Sequence, residues 1–467
     1  MHLLERGGCR AVQAALRLAM PALPYRDPKL LRADSEVPAE LAARGVDSVL
    51  LVTDSALKAL GMTRALEQAL ADGNIRCAVY SATVSNPTVQ NVEEARKLYL
   101  TEGCQALIGF GGGSAIDCAK AVGARIARPG CPLSRMRGVL RVLRKLPPLI
   151  AIPTTAGTGS EVTPFTIISD ANTGAKWPLA DYELLPTMAI VDADNMMNMP
   201  KGVTRASGYD VLTHAVEAYV SVMASDYTDG FALTAIKSVF NYLPRAYKYG
   251  AKDPEARIKM ADASCLAGIA FANAFLGANH SLAHKLGGWH HIPHGTANAL
   301  LFTEVCKYNA QRTPTKMGTF SQYKYPHAFE RYVEIAEFCG MKGKNDVETF
   351  NNFIKAAEDL KAAIDIPASI HDYGIDEKTF MAGLDEMSEN AFNDECTGAN
   401  PVYPLISEIR EIYLRAYWGK EYDAKVKAGI PAAEPQMFSN PFGSDYEVQL
   451  NGVELAPPAA PEAPEKK

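Results

Sequence analysis

Hydrophobic positions between residues 45 and 200 fall into short runs separated by longer amphipathic segments. The runs have the length and composition of buried strands and span residues 48–53, 77–80, 106–110, 149–153 and 188–192. Apolar side chains at helical spacing occupy residues 55–71, 88–101 and 114–127. This alternation predicts an α/β domain with a largely parallel sheet and helices on its faces.

Beyond residue 200 the strand-like runs largely vanish and long amphipathic segments take over. These segments span residues 213–222, 231–243, 254–276, 328–339, 346–363 and 404–417. They predict an all-α C-terminal domain. The expected organisation is residues 1–44 as an N-terminal extension and start of the first domain, 45–200 as the α/β domain, 201–422 as the helical domain and 423–467 as a tail. The Pro-, Ala- and Glu-rich end of the tail is expected to be disordered.

Composition narrows the class of partner. The 467 residues are 48% hydrophobic and carry a formal net charge of -6, as expected for a soluble globular protein without a broad basic field. We therefore expect neither nucleic acid nor a membrane as partner. The nine cysteines are odd in number and include no C-x-x-C pair, which favours a reducing, cytoplasmic location. Residues 1–23 match neither a secretory signal nor a transit peptide well.

Two loops rich in small residues follow predicted strands. The first contains Gly111, Gly112, Gly113 and Ser114, where glycines would let a phosphate approach the backbone and the next helix would present free N–H groups. The second, residues 153–161, supplies the hydroxyls of Thr154, Thr155 and Thr158. A glycine turn can also simply join a strand to a helix, but two such loops at neighbouring strand ends predict a dinucleotide site.

Asp54 ends the first predicted strand. A carboxylate there can accept hydrogen bonds from a ribose diol and would repel a 2'-phosphate, which favours NAD over NADP. Asp54 is equally well placed to cap the following helix. The sequence alone leaves both roles open.

Five of the nine histidines lie between residues 280 and 295. The apolar run before them, residues 265–276, predicts a helix on which His280 and His284, four residues apart, share a face. Gly287 and Gly288 are expected to end this helix. A turn and a further helix could then bring His294 back toward His280. This arrangement suits a metal.

A carboxylate ligand is offered by Asp210, which precedes His214 by one helical turn. Taken alone, Asp210 could be a helix cap and His214 a core histidine. Together with the His280 cluster they form a mixed oxygen and nitrogen donor set, which suits Fe(II) or Zn(II) better than Ca(II) or Cu(I). Because the metal residues lie in the helical part and the nucleotide loops in the α/β part, we expect the reaction between the two domains.

This combination of motifs resembles the iron-containing (group III) alcohol dehydrogenases. From about residue 49 to 422 it is most similar to the alcohol dehydrogenase half of bifunctional aldehyde/alcohol dehydrogenases. The resemblance is carried by Gly111–Ser114 with Asp117 and Lys120, by residues 154–163, by Asp210 with His214, by residues 280–295 and by residues 396–401. No counterpart of the aldehyde dehydrogenase half is found, so acyl-CoA chemistry is not expected.

The resemblance implies the dehydroquinate synthase-like fold, with a dinucleotide-binding α/β domain followed by a helical metal domain. It implies Fe(II), or alternatively Zn(II), held by Asp210, His214, His280 and His294. It also implies that His284 lies near the nicotinamide and that Lys176 contacts the cofactor. Phe165, Phe271 and Cys396 correspond to substrate-pocket positions. His284 is a candidate proton relay, although a structural role beside the ligands is also open.

The function implied is reversible hydride transfer between NAD(H) and a small primary alcohol or aldehyde, carried out by a homodimer or higher homo-oligomer. Two enzymatic alternatives use the same scaffold: a zinc-dependent polyol dehydrogenase and a hydroxyacid-oxoacid transhydrogenase. A non-catalytic assembly subunit is a further alternative, but the intact ligand set argues against it. The sequence does not identify the preferred substrate.

Overall fold

The computed structural model describes residues 25–171, 176–311 and 327–427. Its first half is built on a six-stranded sheet with strands β1 (Lys29–Leu31), β2 (Ser48–Asp54), β3 (Arg76–Thr83), β4 (Ala106–Gly111), β6 (Leu149–Pro153) and β9 (Met188–Ile190). The spatial order is β1-β9-β6-β4-β2-β3 and every pairing is parallel. The predicted α/β class is therefore confirmed.

Helices cover this sheet: α1 (Val37–Ala42), α2 (Ser55–Ala59), α3 (Arg64–Asp72), α4 (Val89–Thr101) and α5 (Gly113–Ala127). Residues 55–71, predicted as one helix, form two, because the chain turns at Gly61 with φ 71°. In the sheet β3 lies on one side of β2, and β4, the next strand along the chain, lies on the other side of β2. The carboxyl ends of β2 and β4 consequently flank the point where the strand order reverses, the usual ligand site of such sheets.

A small second sheet lies beside the first and was not predicted. It contains β5 (Gly138–Val139), β7 (Phe165–Ser169) and β8 (Lys176–Ala180), in the order β5-β8-β7. Its strands β7 and β8 are antiparallel. Two of the candidate site residues belong to this second sheet. Phe165 is the first residue of β7, and Lys176 is the first residue of β8.

The second half is helical, which confirms the all-α prediction. It contains α6 (Lys201–Val220), α7 (Asp226–Tyr249), α8 (Pro254–Ala274), α9 (Ala278–His290), α10 (His294–Asn309), α11 (Ala328–Phe338), α12 (Asp346–Ala363), α13 (Glu377–Phe392), α14 (Ile406–Trp418) and α15 (Tyr422–Lys427). Helix α6 is buried along most of its length and packs against α7, α8 and α10. The last strand of the main sheet and the start of α6 lie on either side of the boundary predicted at residue 200.

Two expectations for the histidine stretch were wrong. The helix of residues 265–276 does not continue into the histidines, because it ends at Phe275, which has φ 61°, and α9 starts afresh at Ala278. Gly287 and Gly288 do not end α9, which runs on to His290 and stops at His291 with φ 55°. A glycine costs only about 1 kcal/mol inside a helix. Packing of Trp289 against Gly383 of α13 holds the last turn in place.

Hydropathy gives no single described helix that is both long and apolar enough to cross a membrane. Only the pair α8 and α9, taken together across a bend of 109°, passes the same length and composition criteria. Most of α8 is buried in the helical core. The predicted disordered end of the tail and the first residues of the N-terminal extension lie outside the described residues.

Candidate metal centre and nucleotide loops

Asp210 and His214 lie one turn apart on the buried face of α6. Asp210 is 3% exposed and His214 is 4% exposed, so neither is a helix cap at the surface. The ring of His214 stacks between those of Phe271 and His280, with centroid distances of 4.5 and 4.6 Å. The carboxylate and the imidazole therefore face the same interior space.

Helix α9 supplies the next donor. The sharp bend after α8 turns the chain so that the first turn of α9 points at α6. His280 lies in that first turn and is 1% exposed, and its Nε2 is 3.6 Å from Asp210 Oδ1. His284, one turn further on, lies closer to the surface with 27% of its side chain exposed. The predicted shared face is present, although the helix begins later than expected.

His294 is the first residue of α10. A Cβ atom on the next residue, Gly295, would lie 1.9 Å from the carbonyl oxygen of Ala206 and 3.1 Å from Asp210 Cβ. Only glycine lets the start of α10 approach α6 this closely. His294 Nε2 is consequently 3.6 Å from Asp210 Oδ1, while 42% of its side chain remains exposed.

The four side chains converge on one place. One ligand atom from each of Asp210, His214, His280 and His294 lies within 4.8 Å of the other three. The amide nitrogen of Asn298 donates to Asp210 Oδ1 at 2.6 Å and lies 3.2 and 3.3 Å from the Nε2 atoms of His280 and His294. Because this one NH₂ nitrogen lies within hydrogen-bond distance of three of the donors, these donors point toward a common centre.

The protonation states of the group fit a cation. Burial acts to raise the pKa of Asp210, but the surrounding imidazoles, including the hydrogen bond from His280, outweigh it and hold the pKa well below the usual range, so the carboxylate is ionised. Burial lowers the pKa of His214 to about 4, so its ring is neutral and can coordinate. For His280 burial acts to lower the pKa, whereas Glu217 and Asp210 raise it to about 9, so the surroundings favour positive charge at this ring and a bound metal would take the place of the proton on Nε2. One oxygen and three nitrogen donors suit Fe(II) or Zn(II).

Three polar residues around this centre were not identified from the sequence. Glu217 contacts His280 Nδ1, and Asn279 donates to the backbone and side-chain oxygens of Asn298 at 3.2 and 3.0 Å. Glu217 lies seven residues after Asp210 and Asn298 lies four after His294, so helical spacing could have found both. Asn279 carries no such signal.

His284 belongs to a second polar group beside the centre. Its Nδ1 donates to Asp394 Oδ2 at 3.0 Å, and Lys285 Nζ donates to the same oxygen at 2.8 Å. Asp394 Oδ1 accepts the backbone N–H of Cys396 at 3.1 Å, which places the thiol next to His284. Burial acts to raise the pKa of Asp394, but the hydrogen bond from His284 and the charge of Lys285 lower it well below the usual range.

Aromatic rings form an apolar wall next to His214. Phe165 of β7 stacks on Phe271 of α8, with 6.1 Å between centroids and 11° between planes. Phe275, at the bend before α9, lies 6.1 Å from Phe165 and was not predicted. The structure thus brings Phe165 and Phe271 together beside one of the candidate ligands, and Cys396 lies near His284.

The two small-residue loops lie side by side, as expected from adjacent strands. Thr154 donates its backbone N–H to Gly111 O at 2.9 Å. A Cβ atom at Gly113 would lie 2.9 Å from Thr158 Cγ2, and one at Gly112 would lie 3.6 Å from Thr155 Cγ2. Ser114 lies in the first turn of α5, whose unpaired N–H groups suit a phosphate. The loops therefore form one continuous strip of backbone and hydroxyl groups, which we call the cradle.

Asp54 and Lys176 are the two remaining candidate cofactor residues. Asp54 Oδ1 accepts the backbone N–H of Leu57 at 2.9 Å, so Asp54 does cap α2, while its Oδ2 faces the loop at Gly111. The cap uses one carboxylate oxygen and leaves the other for a further partner. Burial, followed by the neighbouring ammonium of Lys285, lowers the pKa of Lys176, the first residue of β8.

A parallel α/β sheet with a cradle at its switch point, joined to helices that bring a carboxylate and three imidazoles together, is typical of metal-dependent oxidoreductases that bind a dinucleotide. Family comparisons identify it further. Residues 32–193 match the iron-containing alcohol dehydrogenase family, and residues 204–417 match the C-terminal domain of the Fe-containing alcohol dehydrogenase family. The chain therefore belongs to the iron-containing alcohol dehydrogenase family.

Individual relatives agree with this assignment. The chain is 44% identical over 408 residues to the bifunctional aldehyde-alcohol dehydrogenase AdhE of Escherichia coli (strain K12), covering 85% of this chain and 46% of that protein. It is 35% identical over 382 residues to the NADPH-dependent butanol dehydrogenase of Clostridium saccharobutylicum, covering 81% and 94%. The crystal structure of 1,3-propanediol oxidoreductase superposes with a TM-score of 0.78 at 32% identity, covering 85% of this chain and all of that one.

The resemblance found in the sequence is thus confirmed, as are the fold class and the enzyme class. Fe(II) and NAD(H) are the cofactors that this family implies. It spans about half the length or less of the aldehyde-alcohol dehydrogenases it matches, for example 46% of the E. coli protein.

Proposed function

We propose that this chain catalyses reversible hydride transfer between NAD(H) and a small primary alcohol or aldehyde, with the metal held by Asp210, His214, His280 and His294. The observation that carries this proposal is the convergence of these four donors within 4.8 Å, beside an aromatic wall. When bound, the divalent metal supplies a Lewis acid that lowers the pKa of an alcohol hydroxyl or polarises a carbonyl.

The residues around the metal position the substrate. Phe165 and Phe271 offer an apolar surface that accepts a short alkyl chain and excludes water, and Cys396 extends the wall on the side of His284. Because the Phe271 ring stacks on His214, the wall begins at one of the proposed metal ligands. This arrangement favours small alcohols whose carbinol end faces the donors.

His284 is the proposed proton carrier. It is part-exposed, lies outside the set of four donors and is held by Asp394, an acceptor that fixes the proton on Nδ1. Its Nε2 is then the free acceptor on a ring that stacks 5.4 Å from that of His294. A histidine in this position can take the hydroxyl proton and pass it toward solvent.

The dinucleotide is proposed to lie along the cradle at the carboxyl ends of β2, β4 and β6. Its phosphates would meet the backbone of Gly111, Gly112 and Gly113 and the hydroxyls of Ser114, Thr154, Thr155 and Thr158. The free oxygen of Asp54 would accept from the ribose, and Lys176 would contact the nicotinamide half. The carboxylate at Asp54 supports NAD over NADP.

The assembly and location belong to the same proposal. A homodimer or higher homo-oligomer follows from the family resemblance. A cytoplasmic location is supported by the eight cysteines of the described ranges, which are all free thiols.

Anaerobic metal analysis of His280→Ala tests the proposal. The variant should lose both its bound metal and its ability to oxidise NADH with a panel of small aldehydes, while circular dichroism shows an intact fold. His290→Ala, an equal substitution on the same helix at a residue outside the four donors, is the matched control and should keep both. Full activity in metal-free His280→Ala protein would overturn the metal assignment.

A further inference from the structure

Glu217 links two helices of the metal centre. It follows His214 by three residues on α6 and is 4% exposed. Its Oε1 accepts the backbone N–H of Asn279 at 2.7 Å, and its Oε2 contacts His280 Nδ1. One carboxylate thus caps an otherwise unpaired N–H of the first turn of α9 and holds the side chain of the residue that follows.

Hydrogen-bond chemistry makes this contact directional. An ionised carboxylate has no proton to give, so His280 Nδ1 must donate and carry hydrogen. With hydrogen on Nδ1, Nε2 is the ring nitrogen whose lone pair a metal can use. Asn298 supports this assignment independently, because its amide nitrogen, an obligatory donor, lies 3.2 Å from Nε2. The orientation of that amide is fixed by Asn279, which donates to Asn298 Oδ1 at 3.0 Å.

We propose that Glu217 is a positioning residue for metal binding, which fixes the His280 tautomer so that Nε2 faces the centre shared with Asp210. The proposal rests on the proposed role of His280 as a ligand. Outer carboxylates that hold ligating imidazoles typically contribute about 10- to 100-fold to metal affinity. Glu217 also lies on the same helix as Asp210 and His214. Its contact with His280 therefore connects two of the helices that carry the proposed ligands.

Substitution by glutamine separates tautomer control from helix capping. The Asn279 N–H is a fixed backbone donor, so Glu217→Gln must turn its single carbonyl oxygen toward it and keep the cap. Its NH₂ group then faces His280 Nδ1, which must become an acceptor and move the proton to Nε2. Glu217→Ala loses the cap but leaves His280 free to adopt either tautomer.

The two variants should therefore rank in opposite orders in two measurements. Urea unfolding of the metal-free proteins should give wild type, then Glu217→Gln, then Glu217→Ala in decreasing stability. Competition for Zn(II) against a fluorescent chelator should give wild type, then Glu217→Ala, weaker by about tenfold, then Glu217→Gln, weaker by about 100-fold. Glu408→Gln is the matched control, because it makes the same change at a glutamate that is 1% exposed and bonds Tyr308, outside the centre.

A third variant displaces the carboxylate without changing its chemistry. A Cβ atom at Gly277 would lie 2.8 Å from Asn400 Oδ1 and 2.9 Å from Glu217 Oε1, so alanine there displaces the carboxylate together with the amide of Asn400, and the φ of −129° at Gly277 suits any residue. Gly277→Ala should weaken Zn(II) binding even if both Glu217 variants fail to fold. Equal Zn(II) affinity in wild type, Glu217→Gln and Gly277→Ala would overturn the inference. The inference would also be wrong if Glu217→Gln and Glu217→Ala had the same rank order in urea unfolding and in Zn(II) competition. If His280→Ala also binds Zn(II) as wild type does, the proposed metal site itself is wrong.

Discussion

His284→Ala should separate proton transfer from metal binding within one helix. His280 and His284 are one turn apart, but only His280 belongs to the group of four donors. We expect the variant to retain its metal and to lose turnover by about 10²- to 10⁴-fold, the range typical of general acid-base groups. That loss corresponds to about 3 to 5 kcal/mol of transition-state stabilisation.

The structure indicates that the fold tolerates this change. The substitution removes one hydrogen bond to a charged group, which contributes about 1.5 to 3 kcal/mol when fully buried. The His284 side chain is 27% exposed, and Asp394 keeps Lys285 as a partner at 2.8 Å. A loss of about 1 to 2 kcal/mol leaves most of the stability of an ordinary domain, about 5 to 15 kcal/mol.

Metal content and the pH dependence of kcat should be measured on the same preparation. His290→Ala is the control, because it removes an imidazole from the same helix outside both polar groups. Loss of metal from His284→Ala would mean that ligand and relay have been exchanged. A variant that is less stable but has an unchanged pH-rate profile per folded molecule would show that His284 is structural.

Two further predictions concern the sheet domain. Asp54→Gly should raise kcat/KM with NADP(H) relative to NAD(H), because the carboxylate that repels a 2'-phosphate is gone; a wild type that already prefers NADP(H) would refute the role of Asp54. Burial raises the pKa of Asp34 to about 6. An acid whose folded pKa exceeds its unfolded value, about 3.9, favours folding below pH 4 and loses that contribution as the pH rises through 6. Asp34→Asn should therefore raise the free energy of unfolding at pH 7.5 by about 1 to 2 kcal/mol and have little effect near pH 4, and urea titrations at both pH values would show a wrong sign directly.

Features that depend only on the spacing of residues along the chain could be predicted from the sequence. The parallel sheet follows from short apolar runs alternating with helical segments. Asp210 and His214 share a helix face because they are one turn apart. The two small-residue loops are adjacent because the parallel strands before them end at the same edge of the sheet. Each of these inferences needs only the periodicity of the backbone.

Features set by long-range packing could not be predicted. The bend before α9 occurs at Phe275, an aromatic residue with positive φ, and nothing in its side chain signals a left-handed conformation. The contact between His284 and Asp394 joins residues 110 positions apart. Gly287 illustrates the reverse case, because a Cβ there would lie 3.0 Å from Ile292 O, so this glycine serves close packing rather than helix termination.

The loop that follows β6 rests directly on the helix that carries Asp210. A Cβ atom at Gly157 would lie 2.5 Å from Ser207 Cβ, three residues before Asp210. Ser207 is not one of the four donors, and Gly157 lies in the loop between Thr155 and Thr158 of the cradle, so enlarging either residue pushes on both sites. Variants at the Gly157–Ser207 contact should consequently change the dinucleotide affinity and the metal affinity together. To change only one of these affinities, substitutions should be made in α6 or in the cradle at positions away from the Gly157–Ser207 contact, which should be left intact.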